Sequence, residues 1–597
     1  MTLLKPHRVI REDRADGTIL LRSGYGMSPP AARTTDWLDR WAAETPDALF
    51  LAERAGEGWR ETPYGEARET VDALAGGLLA HGIAPGVPLM ILSGNGIDHA
   101  LLMLACQRIG VPSVPLAEQY SLIPGAEVYI TDIARRVRPA MVYAADGAAF
   151  QRALGLEVFA GLPKLVSRNA GAAQIRLDVL AREGGDIREA AAAVGPDTVV
   201  KILMTSGSTS SPKGVETTHA MMCANQAQIA DAFPFLGTRP PRLLDWLPWN
   251  HVFGSSHNFN LVLAHGGSMH IDAGKPVPQL VGETIRNARE IAPTIAFNVP
   301  VGFAMLRDAM RDDPALRERY FTDLDMLFYA GASLPQDIWA DLEAMALEVR
   351  GDIPLFTSSW GLTETAPACL VQHEGTANVA GIVGVPMTGV TVKAVPDGDG
   401  RYEIRVKGPN VFKRYLNDPV RTAEAFDEEG FFLSGDAMRF VDAADMGRGL
   451  RFDGRLTEDF KLMTGTWVRA ATLRLEILGA LKGLVQDIAL TGEGRDEVGL
   501  LAFPAAGLAH EPDDGAARLA PDAADEIRTR LAPWSTGGSA TRIARVMILA
   551  DPPSMAEGEV TAKGNLNFRR LLTRRAGLVE RLYSDAPCVI RIGTDTP

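Results

Sequence analysis

Short apolar runs alternate with amphipathic stretches over the first two hundred residues. Residues 87–92 (VPLMIL) form a run of strand length, closed by Ser93-Gly94-Asn95-Gly96. Residues 99–109 carry helical spacing, and 111–116 are again strand-like, so the three predict a βαβ unit. Upstream, Thr35-Asp36 opens a predicted helix that runs to Ala43, followed by a strand at 49–53 and a helix at 64–81. Downstream the alternation continues with a helix near 125–137, a strand at 140–143, a helix at 147–154 and strands at 164–166 and 199–204. A helix follows at 219–233. Residues 1–35 read as an irregular lead-in with strand-like residues at 18–22. The Ala/Gly/Pro/Asp-rich stretch 505–525 reads as a loop excursion in a smaller terminal domain. Residues 568–583 read as one helix with a solvated basic face. The fold class predicted is α/β: a large, mostly parallel N-terminal domain with sites at its C-terminal strand ends, and a smaller α+β C-terminal domain.

Length and charge narrow the function more than the fold. At 597 residues the chain is long enough for two or more domains. A formal net charge of −14 argues against nucleic acid or an anionic membrane as the main partner. Cys106, Cys223, Cys369 and Cys588 lack paired spacing, which excludes a disulfide framework or metal knuckle. No apolar run reaches ~20 residues, so no membrane span is expected. The N-terminus turns charged before a signal-peptide core forms, and a cytoplasmic location is the expectation.

The most chemically loaded stretch is Thr205-Ser206-Gly207-Ser208-Thr209-Ser210-Ser211-Pro212-Lys213-Gly214, at the end of the 199–204 run. Glycines let backbone close around a ligand, hydroxyls and amides donate to phosphate oxygens, and Lys213 adds a point charge. The P-loop pattern fails here, since its second glycine falls on Pro212 and its Ser/Thr on Gly214. A bland Ser/Gly surface loop is the alternative. The turn Ser93–His99 half-matches a dinucleotide fingerprint, but His99 stands where the third glycine belongs. Leu247-Pro248-Trp249-Asn250-His251-Val252-Phe253-Gly254 reads either as an aromatic core corner or as an acyl-substrate wall with His251 as a gate. A zinc site at His251 and His257 lacks further ligands at suitable spacing.

The 205–214 stretch resembles T-S-G-[ST]-T-G-x-P-K-G of the adenylate-forming superfamily, with Ser210 in place of its last loop glycine. Five further segments occur in that family's order. The loop 247–254 resembles L-P-x-x-H-x-x-G, and Gly331-Ala332-Ser333-Leu334 resembles its adenine-binding segment. Ser359-Trp360-Gly361-Leu362-Thr363-Glu364 resembles Y-G-x-T-E, and Ser434-Gly435-Asp436 resembles [TS]-G-D. Thr561-Ala562-Lys563-Gly564-Asn565 resembles T-x-[SK]-G-K, with Asn565 where the family has its adenylation lysine. The resemblance implies ATP/AMP binding by Thr205, Ser206, Gly207, Ser208, Thr209, Lys213, Gly331, Ala332, Ser333, Ser359, Trp360, Gly361, Leu362, Thr363, Asp436, Phe452 and Arg455. It implies Mg²⁺ at Thr209 and Glu364, with Thr363 at the α-phosphate, Asp436 at the ribose and Trp360 beside the adenine. Lys563, His251, Thr363 and Glu364 are the implied catalytic set, and Gly465 and Trp467 line the CoA channel. The domains implied are 1–455 and 456–597, hinged at Thr457.

The sequence is more closely similar to the bacterial feruloyl-CoA synthases. That rests on Leu92-Ser93-Gly94-Asn95-Gly96, on Pro248–Gly254 with His257-Asn258-Phe259, on Gly266-Gly267-Ser268, on Asn298-Val299-Pro300 and on Val560–Gly564. It implies an acyl pocket at Trp249, His251, Phe253, Asn258 and Asn298. It also implies an ATP-dependent ligase converting a hydroxycinnamate, through its acyl-adenylate, to the CoA thioester. The implied partners are an aromatic acid, ATP and CoA, with a homodimer left open. Two alternatives stand beside it: a fatty or simple aryl acyl-CoA ligase, and a nucleotide-binding homologue with impaired catalysis, suggested by Asn565 and Ser210.

Overall fold

The computed structural model describes residues 2–205, 212–331, 334–373, 381–505, 507–508, 510–555, 557–560 and 566–593. They fall into two compact units. The first holds residues up to Thr205, Pro212–Ser434 and Arg439–Arg451; the second holds Gly435–Met438 and the chain from Phe452 onward. The division at Arg451/Phe452 lies a few residues before the hinge expected at Thr457, which is exposed in a turn.

The predicted βαβ alternation forms a seven-stranded sheet of the first unit. Leu89–Ile91 lies between Ser113–Pro115 and Met141–Asp146, parallel to both, and Val199–Thr205 pairs with Ser113–Pro115 on one side. Leu89–Ile91, Ser113–Pro115 and Met141–Asp146 are almost wholly buried, which explains why this part of the chain reads as mainly apolar runs. Lys213–Thr218 returns antiparallel beside Val199–Thr205, with Lys213 opposite Thr205. A second, eleven-stranded sheet carries Ile295–Asn298, Met326–Tyr329 and Leu355–Gly361 in parallel, then Ala368–Val371 antiparallel.

In the second unit both sheet faces are covered by helices. Ile488, Leu500, Ala502, Val546 and Ile548 pack with Leu473, Ile477, Ile527 and Leu531. Ala489, Leu501, Phe503, Met547 and Leu549 face Leu571 and Leu582. Odd and even positions of each strand thus serve opposite cores, as a period of two requires.

Three local expectations are corrected. The lead-in contains a hairpin, Val9–Asp13 with Ile19–Ser23, whose second strand pairs with Thr391–Pro396 nearly four hundred residues on. The 505–525 stretch contains His510–Asp513 paired with Ala516–Leu519, and the helix Pro521–Leu531. Its turn is Asp514-Gly515, with φ positive at both residues (48° and 77°), the backbone of a two-residue primed turn that Asp-Gly favours. The basic helix breaks into Phe568–Arg574 and Ala576–Leu582. Arg575 at the break is buried, its Nε and Nη2 each donating at 2.8 Å to the fully buried Glu559 carboxylate, so this arginine is no solvated face.

Lys201, within Val199–Thr205, is fully buried, and its Nζ donates only to Ser256 Oγ at 3.4 Å among the described residues. Burial pulls its ammonium down to about 7 from the ordinary 10.5. The unfolded chain therefore binds more protons here between those values, so the stability this lysine costs is full below pH 7 and recovered as pH rises toward 10.5. Lys201→Met is expected to stabilise the protein by about 1–4 kcal/mol at pH 7. Thermal melts of both proteins across pH 7 to 10 check this: the gap should shrink with rising pH, and a constant or inverted gap refutes it.

Candidate active site

In the first unit, Lys213 enters its strand directly opposite Thr205, so the two residues that flank the phosphate-loop candidate are paired. Ser206, Gly207, Ser208 and Thr209 lie outside the described residues, as do Ala332, Ser333 and Lys563. The Lys213 ammonium sits 4.8 Å from the centroid of the Tyr415 ring, and Tyr415 Oη donates to Glu364 Oε1 at 2.9 Å. Glu364 is buried, and its backbone carbonyl accepts from Phe412 N. Burial and the adjacent Glu364 carboxylate push the Tyr415 hydroxyl well up, so it remains a donor to Glu364. One tyrosine thus spaces a cation from a carboxylate. Tyr415 escaped the sequence reading; its signal was an aromatic residue isolated after Lys413-Arg414 with no periodic reason to be there.

Ser359, Trp360 and Gly361 end the strand Leu355–Gly361, paired with Val371, Leu370 and Ala368. A Cβ on Gly361 would stand 1.7 Å from Pro367 O, so the close strand approach that aims Leu362 and Thr363 demands glycine. Thr363 and Glu364 follow on a buried 3₁₀ turn capped by Thr365, whose Oγ1 accepts from Leu362 N at 2.8 Å. Gly331 follows the strand Met326–Tyr329 at φ 88°, a left-handed backbone that suits glycine.

The 247–259 segment is held from several directions. Asn95 Nδ2 donates to Leu247 O and Asn95 Oδ1 accepts from Trp249 N, both at 2.9 Å. The Gly-rich turn at 93–99 is therefore a clamp on the aromatic loop. Trp249 is buried against His99 (5.1 Å between centroids) and Phe259 (5.2 Å). Phe253 packs in a different group, with His257, Phe297 and Phe328. His251 is half-buried, its Nδ1 accepting from Phe253 N at 3.3 Å. Asn298 Oδ1 accepts from Trp246 Nε1 at 3.1 Å, which fixes Trp246 on the same wall. Both ends of the Asn258 amide are engaged, Nδ2 on Asp245 and Oδ1 toward His257. Burial raises the Asp245 carboxyl to about 7 and lowers His257 to about 4, so the imidazole is neutral. Asp245 was also missed, although an acid inside the apolar run Leu243-Leu244-Asp245-Trp246-Leu247 signals a buried, hydrogen-bonded role.

In the second unit, Asp436 and Arg455, nineteen positions apart, meet as an ion pair (Oδ1 to Nε, 3.5 Å). Asp436 is buried and Arg455 exposed. Gly435 has φ 73° and its carbonyl accepts from Leu456 N, which ties the two segments together. Phe452 is partly exposed. Trp467 is 52% exposed on the hairpin Phe460–Lys461 with Trp467–Val468, whose turn contains Gly465 at φ 87°.

Residues 38–416 match the AMP-binding enzyme family, and residues 459–587 match the AMP-binding enzyme C-terminal domain. The chain is 28% identical over 496 residues to a (7a-methyl-1,5-dioxo-octahydro-1H-inden-4-yl)propanoyl:CoA ligase of Mycobacterium tuberculosis, covering 79% of this chain and 89% of that protein. It is 29% identical over 408 residues to a feruloyl-CoA synthase of Amycolatopsis, covering 67% and 74%. Among solved structures, o-succinylbenzoate coenzyme A synthetase of Bacillus subtilis in complex with AMP superposes with a TM-score of 0.69 at 18% identity. It covers 91% of this chain and 98% of that one, and shows the same fold. The chain belongs to the AMP-binding enzyme family and is an AMP-forming acid–thiol ligase, an acyl-CoA synthetase.

Proposed function

We propose that the enzyme activates a hydroxycinnamate (ferulate, p-coumarate or caffeate), through its acyl-adenylate, to the CoA thioester. The observation that carries the substrate class is the group of Phe253, Phe297 and Phe328 around a neutral His257, beside the His251 loop. Phenyl faces favour a flat aromatic acid over a flexible alkyl chain. The similarity to a feruloyl-CoA synthase supports the same class.

The residues would divide the work as follows. The acid carboxylate and a triphosphate repel each other, so the first step needs positive charge where the α-phosphorus is attacked. Lys213 supplies one cation, and Lys563 the second. Ser206, Gly207, Ser208 and Thr209 would donate to phosphate oxygens, and Thr363 would reach the α-phosphoryl group. Glu364 and Thr209 offer the oxygen donors that Mg²⁺ prefers; the buried Glu364 carboxylate, spaced from Lys213 by Tyr415, fits such an ion. When bound, Mg²⁺ neutralises phosphate charge. Gly331, Ala332, Ser333, Ser359, Trp360, Gly361 and Leu362 would hold the adenine, and Asp436, Arg455 and Phe452 the ribose side. The CoA thiol then attacks the acyl-adenylate and AMP leaves, with Gly465 and Trp467 along the thiol channel and His251 gating it. The second domain would turn near Thr457 between the two steps.

The test is an ATP- and CoA-dependent thioester assay over a panel of acids. Ferulate, p-coumarate or caffeate should give a kcat/KM at least tenfold above octanoate and palmitate. Equal or better use of the fatty acids removes the substrate class and leaves the ligase.

A further inference from the structure

Phe253–Phe259 winds as a π-helix with all seven residues buried. Such turns concentrate at functional sites because they displace side chains from the α-helical register. On it His257, 1% exposed, lies among three phenyl rings, 5.6 Å from Phe253, 5.3 Å from Phe297 and 5.2 Å from Phe328. Phe297 and Phe328 are direct neighbours across a parallel strand pair, and Phe328 stands three residues before Gly331. The rings therefore sit just behind the segment proposed to hold the nucleotide.

One edge of the imidazole is fixed from below. Asn258 Nδ2 donates to Asp245 Oδ2 at 2.9 Å, which turns Asn258 Oδ1 toward His257 Nδ1, also at 2.9 Å. Asp245 is itself held, accepting from Leu247 N at 3.1 Å. A carbonyl oxygen accepts only, so Nδ1 carries the proton and Nε2 keeps a lone pair. That Nε2 is buried and has no hydrogen-bond partner among the described residues. A flat ring entering here meets apolar faces and one acceptor, so the ligand that fits must bring its own donor.

We propose that His257 Nε2 accepts a hydrogen bond from the ring hydroxyl of the aromatic acid, with Asp245 and Asn258 as positioning residues that fix its tautomer. The proposal rests on the hydroxycinnamate reading of the site and adds the group that recognises the phenol. A carboxylate at this point would face a lone pair, and an unsubstituted or 4-methoxy ring would leave Nε2 unpaired.

The experiment compares kcat/KM on matched pairs: 4-hydroxycinnamate with cinnamate and with 4-methoxycinnamate, and 4-hydroxybenzoate with benzoate. The wild-type enzyme should favour the hydroxylated acid by on the order of 10–100-fold, because a site built around a hydrogen bond rejects the analogue lacking it. His257→Phe should bring that ratio near one. His257→Gln, which keeps a carbonyl acceptor, should recover part of it, and Asn258→Leu should lower it. A wild-type ratio near one overturns the proposal without any variant. A ratio unchanged by His257→Phe, or equal losses on both members of a pair, overturns it as well. If hydroxycinnamates are good substrates with a ratio indifferent to His257, this inference fails alone. If only fatty acids are used, the substrate reading fails with it.

Discussion

Lys563→Ala should slow acyl-adenylate formation by on the order of 10²–10³, while CoA thioester formation from supplied acyl-adenylate stays largely intact. The family's lysine after the motif glycine is Asn565 here, and an amide cannot neutralise the charge gathering on the attacking carboxylate and α-phosphoryl oxygens. Lys563 is the lysine of that motif, and a flexible four-carbon stem can cover an offset of two residues. The chain on either side is firmly placed. Val560 bridges Leu566, and Glu559 O accepts from Asn567 N at 2.8 Å. The Glu559 carboxylate accepts from Arg574 Nη1 at 2.9 Å and from Arg575 at 2.8 Å. Those arginines hold Glu559 far below the usual carboxylate range, at about 2, so the anchor persists across the working pH range. Single-turnover adenylation, followed by pyrophosphate release, is the decisive measurement. A wild-type rate in the variant means that Lys213 suffices, and equal losses in both half-reactions mean a structural role.

What the sequence disclosed depended on how local each signal is. The strands Leu89–Ile91 and Val199–Thr205 were readable because burial on both faces leaves mainly apolar runs, interrupted in the second only by Lys201. The hairpin Val9–Asp13 with Ile19–Ser23 was not, since its partner strand Thr391–Pro396 is remote and its own strands mix apolar with charged residues. The Asp514-Gly515 turn was legible in principle, but the Ala- and Pro-rich flanks masked the pairing. Site candidates divided in the same way. Gly331, Gly361 and Asp436 belong to contiguous motifs and could be named from order alone. Tyr415, which joins Lys213 to Glu364, and Asp245, which orients His257 through Asn258, act through contacts that bring distant segments together. Arg575 misled for a related reason: its buried partner Glu559 lies sixteen residues away across the motif loop. Helical periodicity counts an arginine as polar and cannot tell solvent from a carboxylate.

Asp436→Ala should raise KM for ATP by about 5- to 150-fold, the span of about 1–3 kcal/mol for a lost partner in a buried polar site, with a much smaller change in KM for the acid. A carboxylate accepts from both ribose hydroxyls, and Asp436 is buried at the place where Gly435, at φ 73°, turns the strand toward Leu456. The ion pair with Arg455 cannot by itself account for a loss of that size. It is 3.5 Å long and the Arg455 side chain is 54% exposed, so solvent screens it to about 1 kcal/mol or less. The two roles separate experimentally. If Asp436 serves the ribose, Asp436→Ala weakens ATP binding while the melting temperature of the ligand-free protein barely moves. If Asp436 serves only Arg455, Asp436→Ala and Arg455→Ala lower the melting temperature alike and Asp436→Ala leaves KM for ATP at its wild-type value. Asp436→Asn sharpens the comparison, because an amide of the same shape keeps one acceptor oxygen and should retain part of the ATP affinity. A KM for ATP unchanged in both Asp436 variants removes this residue from the nucleotide site.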